Sequence, residues 1–173
     1  MAQTKNPVVG ILMGSDTDLP VMVEVSRTLE KFGIAYEMEV CSAHRSPART
    51  HEYASKAAGR GLKVLIVGAG GAAHLAGVVA SVTSLPVIGV PLATTALNGM
   101  DSLLAIVQMP AGIPVATMAI DKAGASNAAI FAAQILGTSD PNMAARLAAH
   151  KEELARSVQE KNSRLQQKIA DLR

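Results

Sequence analysis

The sequence predicts an α/β fold on a parallel sheet, and three observations predict it. Short runs of Val, Ile, Leu and Met alternate with longer stretches of helical apolar spacing. Most of the runs are continuously apolar, as strands covered on both faces must be. Three of the runs end in turns of small and polar residues that lead straight into a helical stretch. In a parallel sheet such turns lie along one edge, at the strand C-termini, where ligands bind.

The first strand is expected at Val8–Met13, followed by the turn Gly14-Ser15-Asp16-Thr17-Asp18 and a helix over Leu19–Phe32. Gly33 stands where a helix C-terminus favours positive φ, and Gly61 repeats that signal one unit later. The second unit reads as strand Tyr36–Cys41, turn Ser42-Ala43-His44-Arg45-Ser46-Pro47 and helix Ala48–Arg60. The third reads as strand Val64–Val67, the turn Gly68-Ala69-Gly70-Gly71-Ala72-Ala73-His74-Leu75, and a helix over Ala73–Ser81. Strands at Val87–Val90 and Val115–Ile120 alternate with helices at Gly99–Gln108 and Ala125–Leu136. Residues 1–140 are thus expected to form one α/β domain, the candidate catalytic domain. From Pro141 the composition turns to Lys, Glu, Arg, Gln and Ala, with Leu147, Leu154, Val158, Leu165, Ile169 and Leu172 at helical spacing. Residues 141–173 therefore read as an amphipathic helix whose far end outruns a small sheet and is expected to pack on a neighbouring subunit, with a partly frayed, solvated tail as the alternative.

Composition narrows the function. The chain has 173 residues, 49% hydrophobic, with two Phe, two Tyr and no Trp, so Ala, Val, Ile, Leu and Met must fill the core. A net charge of +2, without basic runs or stacking aromatics, argues against nucleic acid. The apolar stretches are broken by Gly, His, Ser and Pro, and none reads as a membrane span or a leader. The single cysteine, Cys41, excludes an internal disulfide, suits a reducing cytoplasm and reads as a buried strand residue. No His or Cys pair has metal-ligand spacing, so no metal is expected.

The turns carry the chemistry. Gly68-x-Gly70-x-x-Ala73 fits the loose dinucleotide pattern, but that motif needs an acidic residue about twenty positions on. No Asp or Glu stands between Glu52 and Asp101, and no Gly-Lys-Ser/Thr follows any glycine turn. A smaller anion remains, held by backbone N–H groups where the glycine turn opens a helix. Ser15 offers a hydroxyl and Arg45 a planar fork of donors suited to phosphate. Asp18 can hold ribose hydroxyls or cap the first helix. Ser42 and Ser46 flank His44 and can cap or bind phosphate. His44 is the candidate general acid and base, with a structural loop histidine as the alternative. His74 can orient a carboxylate or cap its helix, whereas His51 and His150 lie in polar helical stretches at the surface.

Taken together, these segments resemble the class I N5-carboxyaminoimidazole ribonucleotide mutases of bacterial purine biosynthesis. The likeness runs from about Val8 to Gly137 and rests on Met13-Gly14-Ser15 with Asp18, Ser42 to Pro47, and Gly68 to Leu75. Asp101-Ser102-Leu103, Ile106-Val107-Gln108-Met109-Pro110 and Asn127-Ala128-Ala129 complete it. The resemblance implies a three-layer flavodoxin-like α/β/α sandwich and a cytoplasmic homo-octamer with sites at subunit junctions. It also implies a small ribonucleotide substrate and no metal, ATP or organic cofactor. By that resemblance His44 shuttles the proton, Ser15, Asp18 and Arg45 bind the ribose phosphate, Ser42 is a further substrate-binding residue, and Gly70, Gly71, Ala72, His74 and Leu75 wall a carbon dioxide pocket. Ala76, Ala111 and Ser46 replace the usual proline, glycine and threonine, and none of the three removes a reacting group. Two alternatives stand beside the mutase. A direct carboxylase of aminoimidazole ribonucleotide carries a different glycine-rich loop. A non-catalytic nucleotide-binding module of the same fold would leave His44 without a purpose.

Overall fold

The computed structural model describes residues 6–172. Five parallel strands make one sheet: β1 (Val9–Met13), β2 (Tyr36–Val40), β3 (Val64–Gly70), β4 (Val87–Leu92) and β5 (Ala116–Thr117). Their order is β2-β1-β3-β4-β5, so the chain reverses its winding direction between β1 and β3. That order is the flavodoxin-like one, and the reversal opens a crevice at the strand C-termini. The helices are α1 (Leu19–Lys31), α2 (Pro47–Ala57), α3 (Leu75–Ala80), α4 (Met100–Val107), α5 (Asp121–Gly137) and α6 (Pro141–Ala170).

β1 and β4 are buried along their whole length, as their unbroken apolar runs require. Gly33 and Gly61 take φ of 64° and 97° just past their helices, as the sequence suggests. β2 lies at the edge and buries Glu37, whose carboxylate accepts from Tyr53 Oη at 2.6 Å and from Arg60 at 2.7 Å. Burial pushes the Tyr53 phenol well above its usual range, and the Glu37 carboxylate adds to that shift. Edge strand and helix α2 are thereby joined by a polar clasp that apolar periodicity does not reveal.

Three boundaries depart from expectation. The strand expected over Val115–Ile120 contributes only Ala116 and Thr117 to the sheet. It pairs on one side only, through Ile88↔Ala116 and Gly89↔Thr117. Beyond Met118 the chain leaves the sheet, with Asp121 at φ 58° and its Oδ1 accepting the Ala93 N–H at 2.9 Å. α5 starts at Asp121, four residues before the predicted Ala125, and Gly124 lies inside it instead of ahead of it. A Cβ on Gly124 would overlap the backbone carbonyl of Ala119, which cannot swing aside. Gly124→Ala should therefore cost about 1–3 kcal/mol, lowering the melting temperature by several degrees. An unchanged thermal melt would refute the close approach.

The third departure is in the glycine turn. β3 continues through Gly68, Ala69 and Gly70, and α3 begins only at Leu75. Gly68 is small because Met22 of α1 packs on it, and Gly70 because Thr94 does. Gly71, at φ 59°, makes the turn itself.

Contacts divide the chain into one compact unit ending at Ile135 and a second beginning at Leu136. The second is almost wholly α6, 30 residues long, hence about 45 Å at 1.5 Å per residue. Asp140 caps it, accepting from the amides of Asn142 at 2.9 Å and Met143 at 3.3 Å, with Pro141 in the first turn. Along it Leu154, Val158 and Leu165 are more than half exposed, at 54%, 65% and 52%.

Candidate active site

Four strand ends converge on one cavity of about 330 Å³. The turn after β1 supplies Gly14, Ser15, Thr17 and Asp18, and the turn after β2 supplies Ser42, Ala43, His44 and Arg45. Ala69, Gly70, Ala72 and Leu75 come from β3 and the chain beyond it, and Thr94 follows β4. The cavity lies beside the winding reversal between β1 and β3, the place this topology offers a ligand. Its volume suits a small molecule.

Ser15 N-caps a short 3-10 turn over Asp16–Asp18, and its Oγ accepts from the Thr17 amide at 3.3 Å. Asp18 stands at the N-cap position of α1, yet its side chain makes no forward cap bond. Its Oδ2 instead reaches back to accept the Ser15 amide at 3.1 Å. Asp18 is buried, with 7% relative exposure. Burial raises it above the usual carboxylate range against the opposing pull of the Ser15 and Gly14 amides and the Arg45 charge. The helix-cap reading of Asp18 thus becomes a reciprocal capping box that holds the β1 turn in shape.

Ser42 organises the second turn. Its Oγ accepts from the Arg45 amide at 3.2 Å and from Arg45 Nε at 3.3 Å, while its carbonyl accepts the Ser46 amide at 2.8 Å. Ser46 Oγ accepts the Ser42 amide at 3.2 Å, so Ser46 closes the turn from within. Arg45 Nη2 donates to the Gly14 carbonyl at 2.9 Å, tying the turn after β2 to the turn after β1. Both Arg45 and His44 are exposed to solvent at the cavity mouth. Cys41 is buried beside them, and burial pushes its thiol up, away from the reactive thiolate.

His74 bonds to another side chain and not to its own helix. Its Nδ1 lies 2.9 Å from Nε2 of His44, with the rings 87° apart. The expected cap is absent, since no side-chain bond closes the N-terminus of α3. Gly70, Ala72 and Leu75 line the cavity, whereas Gly71 and His74 flank it. His51 is an exposed residue of α2, away from the cavity lining, as expected.

Thr17 and Thr94 are cavity residues that the sequence reading missed. Thr94 follows the fourth buried strand, and the rule that strand C-termini bear the site would have found it. Its turn carries no charge or histidine, so nothing in composition marked it. Among the described residues no group of His, Cys, Asp and Glu could hold a metal, and no helix is long and apolar enough to cross a membrane.

Comparison with known proteins bears on the same residues. The chain is 58% identical over 161 residues to the N5-carboxyaminoimidazole ribonucleotide mutase of Thermotoga maritima, covering 93% of each chain. It is 56% identical over 165 residues to the mutase of that name from Pyrococcus horikoshii, covering 95% of this chain and 92% of the other. The one from Mycobacterium leprae is 52% identical and is covered over 94% of its length. The crystal structure of Treponema denticola PurE superposes with a TM-score of 0.83 at 29% identity, covering 92% of this chain and 98% of that one. The AIR carboxylase profile matches residues 8–157, the span holding every strand and every cavity residue, so the chain belongs to the AIR carboxylase family.

Proposed function

We propose that this chain is an N5-carboxyaminoimidazole ribonucleotide mutase, an isomerase of purine biosynthesis. One observation carries the reading: His44 shares a single cavity with Ser15, Asp18 and Arg45. Relatives 52–58% identical that bear the mutase name support it. The direct carboxylase and the non-catalytic module have no comparable support.

The reaction moves a carboxylate from the exocyclic nitrogen to carbon 4 of the ring. Protonated His44 gives its proton to the departing nitrogen as the N–CO2 bond breaks and carbon dioxide is released into the cavity. The enamine-like carbon 4 then attacks the trapped carbon dioxide. Neutral His44 removes the proton left on that carbon, which restores the aromatic ring and the starting imidazolium. Protons balance over the cycle, and the step so written needs no metal, ATP or organic cofactor. Ser15, Ser42 and Arg45 offer donors for the phosphate, and Asp18 offers an acceptor for ribose hydroxyls. Gly70, Gly71, Ala72, His74 and Leu75 bound the space for carbon dioxide.

The experiment is a pair of assays without ATP. Supplied with the N5-carboxy ribonucleotide, the protein should yield the 4-carboxy product without added bicarbonate. Turnover only from the unmodified aminoimidazole ribonucleotide plus carbon dioxide would make it the direct carboxylase, and turnover of neither would leave a binding module.

The finer reading is a cytoplasmic homo-octamer. The exposed stripe Leu154, Val158 and Leu165 supports association, because covering apolar surface is worth about 25 cal/mol per Å². Closed symmetry is the usual outcome for such contacts. Light scattering should give the mass of eight chains, and a monomer at micromolar concentration would overturn the octamer. Deleting Gln159 to Arg173 should lower that mass or the melting temperature. Both unchanged would make the end of the helix a solvated extension.

A further inference from the structure

We propose that Thr94 walls the carbon dioxide space on its solvent side, and that Asp121 is the positioning residue that holds Thr94 there. The inference rests on the reading of the chain as a mutase that releases and recaptures carbon dioxide.

Thr94 brings the turn after β4 into the cavity. Strand order places β4 on the far side of β3 from β1 and β2, so Thr94 faces the cavity from the flank opposite Ser42, His44 and Arg45. It packs on Gly70 so closely that a Cβ there would overlap its Oγ1 and Cγ2. Gly70 bounds the space proposed for carbon dioxide, and Thr94 is exposed. The Thr94 side chain therefore stands between that boundary and solvent.

Two carboxylates hold the chain on either side of Thr94. Asp121 Oδ1 accepts the amide of Ala93 at 2.9 Å, and Asp101 Oδ2 accepts from Thr95 Oγ1 at 2.7 Å. The far end of the same turn returns to the same place: Gly99 takes φ of 84°, and a Cβ on it would meet the Ile120 side chain and the Ala93 Cα. Both ends thus converge on Ile120 and Asp121. Asp121 itself is left-handed, at φ 58°, a conformation in which glycine is relaxed and aspartate less so. Glycine would suit that backbone better, but it could not hold the Ala93 amide. The bond to the residue directly before Thr94 is what the carboxylate adds.

The reaction gives this wall a task. When the N–CO2 bond breaks, the nitrogen takes the proton of His44 and carbon dioxide is left free beside carbon 4. If it escapes before carbon 4 attacks, carbon 4 keeps its hydrogen and the ring leaves as the unmodified aminoimidazole ribonucleotide. His44 then regains its proton from water, so the lost turnover consumes one proton and liberates one carbon dioxide. An enclosed site suppresses such a side reaction.

Isotope retention tests the wall. The N5-carboxy ribonucleotide with a carbon-13 carboxylate is turned over in unlabelled bicarbonate, and the label in the 4-carboxy product is read by mass spectrometry at low conversion. Thr94→Ala and Asp121→Gly should each raise the fraction of label lost about threefold or more. Asp121→Asn keeps an acceptor oxygen and tolerates positive φ, so its loss should stay within about 1.5-fold of wild type. The double variant Thr94→Ala with Asp121→Gly should lose no more than the leakier single variant, because Asp121 acts through Thr94. Wild-type label loss in Thr94→Ala would overturn the wall. Wild-type loss in Asp121→Gly, equal leakage in Asp121→Gly and Asp121→Asn, or additive loss in the double variant would overturn the role of Asp121. Hydrogen exchange at the Ala93 amide should be slow in the wild type and Asp121→Asn and fast in Asp121→Gly. Exchange in the wild type at the rate of an open chain would overturn the clamp even if a variant misfolds. A wild type that makes no 4-carboxy product from the N5-carboxy ribonucleotide removes the mutase reading and this inference with it. Normal turnover with label retention unmoved by either substitution removes this inference alone.

Discussion

Replacing His44 by Asn should lower kcat by about a hundred- to ten-thousand-fold while ribonucleotide affinity stays within a few-fold of wild type. The amide preserves the polarity and much of the shape of the side chain at the cavity mouth, so ground-state contacts persist. It cannot accept and return a proton near neutral pH, so both proton transfers proposed for His44 are lost. His44 is exposed and packs into no core, which keeps the effect on stability below about 1 kcal/mol. A fall in kcat without a matching rise in KM marks an interaction used in the transition state. Retention of more than about a tenth of wild-type turnover would show that another group moves the proton.

Arg45→Ala should weaken binding of the phosphorylated ligand about ten- to a hundredfold, equivalent to 1.5–3 kcal/mol for a charge-assisted contact. The structure adds a second reason for a large effect. Arg45 bridges the Gly14 carbonyl and Ser42 Oγ, so it sets the distance between the two turns that would share the phosphate. Removing it takes away one donor set and loosens the placement of another. Arg45→Lys should fall between the two, because it keeps the charge and loses the fork that reaches both turns. Calorimetric titration with the 4-carboxy ribonucleotide checks the series. Equal affinity in all three proteins would move the phosphate to the Ser15 turn alone.

Local pattern was enough for most of the scaffold. The runs at Val8, Tyr36, Val64 and Val87 each became a strand within two residues of the expected start; those from Val8, Val64 and Val87 are apolar because they are buried on both faces, whereas the edge strand from Tyr36 carries Glu37 and Glu39. The fifth run failed at the sheet edge. There the length of a strand depends on a partner, and pairing with β4 ends after Gly89. α5 began early because Gly124, a helix breaker by propensity, is required by the approach of the Ala119 carbonyl.

The site was legible in the same uneven way. Ser15, Asp18, Ser42, His44 and Arg45 stood out because charged and hydroxyl residues at strand ends have few purposes in a core, and all five line one cavity. The glycines after β3 were legible as glycines and misread in purpose. Only the packing of Met22 and Thr94 explains Gly68 and Gly70.

The sequence alone determined the αβ alternation, the parallel sheet, the edge that bears the site and the residues able to do acid–base and phosphate chemistry. Each follows from periodicity or from a side chain's own functional groups, which are properties of short segments. Only the tertiary structure decided that Arg45 ties two turns together, that Asp18 reaches back to Ser15, that Thr94 lines the cavity and that His74 meets His44. Those are contacts between segments, and their distances are set by strand order and register, which no single segment contains.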